Sequence, residues 1–172
     1  MTAQTDATTT AAPAVDTARI YQEGIVAGVI GAATVALWFF VIDLLNGRPL
    51  YTPTVLGTAL FQRGAGLTGI ENMPVSLEMV LMFTWVHGLA FAAVGGIVAR
   101  LLATAERHPS VGFGILLLFV IFEAGFTVAA MLFAAPILKA LTWPAILVAN
   151  LLAAAAIGVY FWLRHPTLRV SP

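Results

Sequence analysis

Against a strongly apolar background, the side chains able to hold a proton, a cation or a ligand are His87, Glu123, Asn150, Asp43 and Glu78. Each falls within a stretch apolar enough to cross a bilayer, where an ionisable group is costly and marks a site unless a neighbouring helix satisfies it. Taking each stretch as a helix, His87 and Glu123 lie about 15 to 20 Å from the ends of theirs and meet near the midplane. Asn150 lies about 10 Å below the outer end of its stretch, and Asp43 and Glu78 about one turn inside theirs. The polar series therefore descends from one face to the middle. Beyond the midplane the same stretches offer Gly, Ala, aliphatics, aromatics and Thr34. A proton or ion conductor needs a polar or hydrated route on both sides, so a site open to one face fits this pattern better than a through-path.

Helical spacing limits which of these groups can meet. Glu78 and His87 are separated by about 900° of rotation and point to opposite faces of one helix, so each needs a partner from elsewhere. Glu123 is expected to bond to a backbone carbonyl, to Asn150 or to His87, either holding the bundle together or serving a relay or ligand site. Thr84, one turn before His87, is a candidate internal partner for the imidazole. Imidazole is also a common haem and metal ligand. One intramembrane histidine is too few for a bis-His haem within one chain, so haem would need a second chain or Met82 or Met131 as the other axial ligand. Asp43 and Glu78, at equal depth, could share a cation or a proton, or could each cap a helix or snorkel beside Lys139 or Arg48. His108 and His165 lie in polar flanks and are read as solvated.

The elements that must position these residues follow from the apolar runs. Residues 1–19 are rich in Thr, Ala, Asp and Pro and are expected to be a disordered tail rather than a cleavable signal, having no basic n-region and too long a first apolar run. Spans are expected at about 24–45, 77–101, 111–135 and 143–163 within a domain covering 20–165, with 166–172 as a C-terminal tail. The first ends at Asn46-Gly47-Arg48-Pro49. Between spans one and two, Thr52-Pro53 reads as a cap and first helical position, Gly64 reads as a stop, and Val55, Leu56, Ala59 and Leu60 share a face. This predicts a short interfacial helix. Gly24 and Gly28 on the first span, and Gly88, Ala92 and Gly96 on the second, form small-residue seams that let backbones approach closely. Trp143 and the Tyr160/Trp162 pair suit the two interfaces.

The chain has 172 residues, 60% of them hydrophobic and 9% charged, with mean hydropathy +0.97. That is the composition of a polytopic membrane protein. The fold class is all-α: a bundle of four transmembrane helices with the short helix between the first two spans. Zero net charge and the lack of a basic cluster argue against nucleic acid as a partner. The absence of cysteine removes disulfide and thiolate chemistry. No GxSxG, HExxH, DxD or phosphate-cradling glycine loop occurs, so hydrolysis and phosphoryl transfer have no support. One end of the bundle collects Arg19, Arg100, Arg107, Arg164 and Arg169, the other Arg48, Arg63 and Lys139, which puts both termini in the cytoplasm. The general form resembles that of small four-span proteins of bacterial inner membranes, a resemblance that carries no functional residue with it. The expected function is a non-enzymatic accessory or scaffold subunit packed, in lipid, against other membrane helices, as a homo-oligomer or within a larger complex. The alternatives are a proton, cation or small-ligand carrier or sensor at His87 and Glu123, and, third, a haem- or quinone-binding redox subunit.

Overall fold

The computed structural model describes residues 17–62, 73–107 and 143–165. Among them every element is a helix: α1 (Thr17–Leu45), α2 (Tyr51–Phe61), α3 (Leu77–Arg107) and α4 (Trp143–Arg164). Three of these, α1, α3 and α4, are long and apolar enough to cross a membrane, with mean hydropathies of 2.5, 1.8 and 2.1 over their most apolar windows. Helices of this length and composition mark an integral membrane protein. The span expected over 111–135, with Glu123 in it, lies outside the described residues, as do residues 1–16 and 166–172.

Two helices overrun their expected limits. The first begins at Thr17 instead of Gly24, so 17–19 are helix and not tail, and α3 continues to Arg107. Hydropathy drops where the membrane ends, but helix propensity does not: Ala, Arg, Gln and Glu all extend a helix readily. Arg19 and Glu23 add an ion pair of 3.1 Å one turn apart. With 29 and 31 residues, α1 and α3 reach roughly 45 Å, well beyond a hydrocarbon core of about 30 Å. The overhang carries the charged residues of one end, where Arg100 Nη1 donates to the Tyr21 hydroxyl at 2.9 Å.

At its other end α1 stops as Gly47 requires. Gly47 takes a left-handed φ of 67°, its N–H donates to the Leu44 carbonyl at 3.0 Å, and the Arg48 N–H donates to the Asp43 carbonyl at 2.9 Å. This paired closure satisfies carbonyls that the ending helix would leave open.

Packing between α1 and α3 rests on backbone contact. A Cβ at Gly24 would stand 2.6 Å from the Gly95 carbonyl oxygen and from Gly96 Cα, and one at Gly28 would overlap the Phe91 carbonyl and Ala92 Cα. Further along the same line, a Cβ at Gly31 would stand 2.6 Å from Ile157 Cδ1 on α4. Gly88 is different: among the described residues nothing lies within 4 Å of a Cβ there. Around the seam, Ala27, Ala99 and Phe161 form one buried cluster, and Phe39 with Ala149 another. Trp38 Nε1 donates to the Ala145 carbonyl at 3.0 Å and ties α1 to α4. Large apolar side chains face outward, Trp85 at 71% and Trp162 at 72% exposure, as expected where the surrounding solvent is lipid.

The short helix α2 departs from its expected form. It starts at Tyr51 behind Leu50, which takes a left-handed φ of 66° and gives no side-chain cap. Its buried face is Tyr51, Thr52, Thr54, Val55, Gly57 and Thr58, whereas Leu60 is exposed, so the expected face of Val55, Leu56, Ala59 and Leu60 does not form as a unit. The reason is steric: a Cβ at Gly57 would stand 2.5 Å from the Met79 carbonyl oxygen. Only the small-residue side of α2 can come that close to α3. Thr54 Oγ1 donates back to the Leu50 carbonyl at 2.8 Å, while the Thr52 and Thr58 hydroxyls reach Asp43 and Met73.

These contacts predict that Gly28→Ala destabilises the purified protein by about 1 to 3 kcal/mol through overpacking against backbone. Gly88→Ala should leave stability unchanged or slightly raised, because alanine favours helix. Thermal unfolding in one detergent, followed by circular dichroism, checks both; equal effects at the two positions would refute the seam.

Candidate functional site

Asp43 is 3% exposed, the one buried carboxylate among the described residues. Its Oδ2 accepts the backbone N–H of Thr52 at 2.7 Å and its Oδ1 accepts the Thr52 hydroxyl at 2.7 Å. Thr52 is the second residue of α2, the place where an N-cap side chain normally satisfies an open N–H. Leu50 cannot do this, so Asp43 caps α2 from the preceding helix, and its negative charge sits at the positive end of the α2 dipole. Thr52, expected to be the cap, is the residue being capped. Glu78 is exposed in the first turn of α3. Both Asp43 oxygens bond to Thr52.

His87 is half-buried on α3, and its Nε2 lies 3.3 Å from the Ala32 carbonyl of α1. That geometry calls for the tautomer with the proton on Nε2, donating to the second lone pair of a helical carbonyl. Phe83 and Phe91, one turn to either side, flank the ring with centroids 5.5 and 4.7 Å away. Thr84 is not its partner; the hydroxyl donates to the Val80 carbonyl of its own helix at 2.7 Å. Glu123, the other expected partner, lies outside the described residues. Asn150 is half-buried on α4, next to the fully packed Ala149. Of the expected site residues, then, Asp43 and His87 each join two elements of the bundle. Among the described residues no three His, Asp or Glu side chains gather as a metal site.

A polar cluster appears where solvated residues were expected. His165, just past α4, has Nδ1 at 2.7 Å from Glu106 Oε1 of α3 and Nε2 at 3.2 Å from Glu23 Oε2 of α1. Arg19 completes the chain of contacts through Glu23. Carboxylates only accept, so a neutral imidazole can donate to one of them and an imidazolium to both. One side chain thereby links the ends of all three long helices. The clue in the sequence was topological: the expected four-span arrangement puts the start of α1 and the ends of α3 and α4 on one side, and those segments carry acids as well as arginines.

Comparison with protein-family models, curated proteins and solved structures finds no match for this chain. The site must be interpreted from its own chemistry.

If Asp43 is the cap of α2, Asp43→Ala leaves the Thr52 N–H and hydroxyl without their acceptor and lowers stability by about 1 to 3 kcal/mol. Asp43→Asn, which keeps one acceptor oxygen, should lose less. Thermal unfolding of both variants, with Thr52→Val to complete a double-mutant cycle, measures the coupling. Additive effects of the Asp43 and Thr52 changes would sink this assignment.

Proposed function

We propose that this chain is a non-enzymatic accessory or scaffold subunit of a membrane assembly, acting through the outer faces of its helices. One observation supports it above the others: apart from the buried Tyr160 hydroxyl, which has no partner among the described residues, the polar groups named here within the described spans bond to the chain itself. Asp43 bonds to Thr52, His87 to the Ala32 carbonyl, Trp38 to the Ala145 carbonyl, and Thr34 and Thr84 to their own helices. A carrier or sensor at the His87 level needs a group that bonds to its cargo, and the Nε2 of His87 is engaged by α1. The glycine seam of α1 faces α3 within the chain, so partner contact falls to the outward apolar faces, where Leu81, Trp85 and Leu89 lie on α3.

In this proposal a fourth span over 111–135 connects α3 to α4, and α2 lies along the outer interface of a bacterial inner membrane. Both termini are cytoplasmic, in keeping with Arg19, Arg100 and Arg164 near one end of the described helices. A reporter fused after Pro172 should then signal cytoplasm, and one inserted near Gly66 the outer side; the reverse pattern would invert the orientation.

The subunit assignment is tested by placing a photoreactive residue at Trp85 and irradiating native membranes. A discrete adduct with a second membrane protein, or with another copy of this chain, is the expected result. Adducts with lipid alone would overturn the proposal. His87→Phe, which keeps the aromatic contacts and removes titration, should leave that adduct intact.

A further inference from the structure

Among the described residues, Arg19, Arg100 and Arg164 are exposed at the end where α1 begins and α3 and α4 stop. The acids of that end do not answer all three. Glu23 takes Arg19 and His165, Glu106 takes His165, and Arg164 lies over the Tyr160 ring, 5.8 Å from its centroid. Arg100 has no carboxylate partner among the described residues. Its Nη1 donates instead to the Tyr21 hydroxyl of α1 at 2.9 Å.

A tyrosine oxygen that accepts from a guanidinium directs its own proton elsewhere. The pair therefore presents the Tyr21 O–H beside the remaining N–H groups of Arg100, joined across α1 and α3. Donors carrying one positive charge suit a singly charged oxyanion, and the planar fork of arginine matches two oxygens of a phosphate. The α1–α3 seam seats the tyrosine, since a Cβ at Gly96 would meet Tyr21 Cδ1 at 3.6 Å.

Depth selects which phosphate. From Arg100 back to Leu77, and from Tyr21 on to Leu45, the helix in each case runs about 35 Å. The hydrocarbon core takes roughly 30 Å of this, and the headgroup layers bring a bilayer to about 40 to 45 Å. The pair thus stands at the level of the lipid phosphates. One and two turns deeper, helical spacing sets Ile25 and Val29 below Tyr21, and Ile97 and Ala93 below Arg100, all four exposed. Charged donors above exposed apolar rows match the two parts of a phospholipid.

We infer that the Arg100–Tyr21 pair binds the phosphodiester of one phospholipid, whose acyl chains lie along these rows of α1 and α3. The site is about 22 Å along α3 from Trp85 and stands or falls apart from the accessory role proposed above.

The test is native mass spectrometry of the full chain in detergent, titrated with phosphatidylglycerol. One lipid should bind well ahead of any other. Arg100→Gln should weaken that binding about ten-fold or more, the loss of a charge-assisted hydrogen bond, and Tyr21→Phe, which keeps the ring on Gly96, about three-fold. Arg164→Gln should leave the first lipid in place. An equal loss there, or none with Arg100→Gln, would overturn the inference in favour of diffuse attraction to the surface. Inorganic phosphate that displaces the lipid at equal concentration would overturn it as well, since the acyl chains would then add nothing. The wild type gives an answer that needs no variant to fold: phosphatidylglycerol with a photoreactive acyl chain should label peptides containing Ile25 or Ile97, and labelling confined to other segments refutes the inference.

Discussion

Lipid tails are as apolar as leucine, so helices in a bilayer gain nothing by hiding apolar surface from their surroundings. What remains to hold them together is close van der Waals contact and the few hydrogen bonds that close contact permits. In this chain both depend on the line of small residues on α1. Gly24 and Gly28 bring its backbone against Gly95, Gly96, Phe91 and Ala92 of α3, leaving no room for even a methyl group. The approach of α1 and α3 also sets what the histidine can do. Only because the two backbones converge does the His87 ring reach the Ala32 carbonyl, a group normally enclosed by its own helix. The outward placement of Trp85 and Leu81 is the other side of the same allocation: bulk goes to lipid and small residues to the seam.

The two ends of the bundle are secured by different chemistry, and the helix lengths explain why. At the end where α1 begins, α1 and α3 overrun the hydrocarbon thickness, so ionised groups are affordable there and His165 can sit between Glu23 and Glu106. At the other end α1 stops at Leu45, and the carboxylate there is buried. A buried carboxylate is tolerated when donors surround it. Asp43 meets that condition by accepting from the N-terminus of α2, so its backbone carbonyl closes one helix while its side chain opens the next.

The long helices and their polar interruptions were legible because hydropathy and helical rise are local properties. So was the stop at Gly47, since only glycine takes a positive φ there without strain. What could not be read locally was partnership. Asp43 and Thr52 look like two independent interfacial residues until the α1–α2 turn brings them together. Thr54 and Thr58 look like the polar, outer side of an amphipathic helix, yet they face inward because Gly57 lies among them and α3 must come close. His165 looked solvated because its two carboxylates come from helix ends distant in sequence. In each case the missing term was a tertiary contact to a small or polar residue, to which a pattern of apolar positions is blind.

The placement of α2 shows how such a contact can shape a site. Had α2 turned Leu56, Ala59 and Leu60 toward α3, the junction would be a dry leucine contact with no chemistry. Gly57 and the threonines instead permit an approach of 2.5 Å between a notional Cβ and the Met79 carbonyl, with the hydroxyls bonding to Asp43, within the turn before α2, or to the incoming chain. Thr54 Oγ1, for instance, accepts the Ser76 N–H at 3.4 Å. Backbone contact at one point and polar side chains around it leave space beside the contact, because threonine and serine cannot fill the volume that leucine would. The methionines at 73 and 79 border that space with their thioethers. Thus the side of α2 that carries Gly57 meets α3, and the cleft beside that contact is lined by threonine, serine and methionine and not closed by leucine.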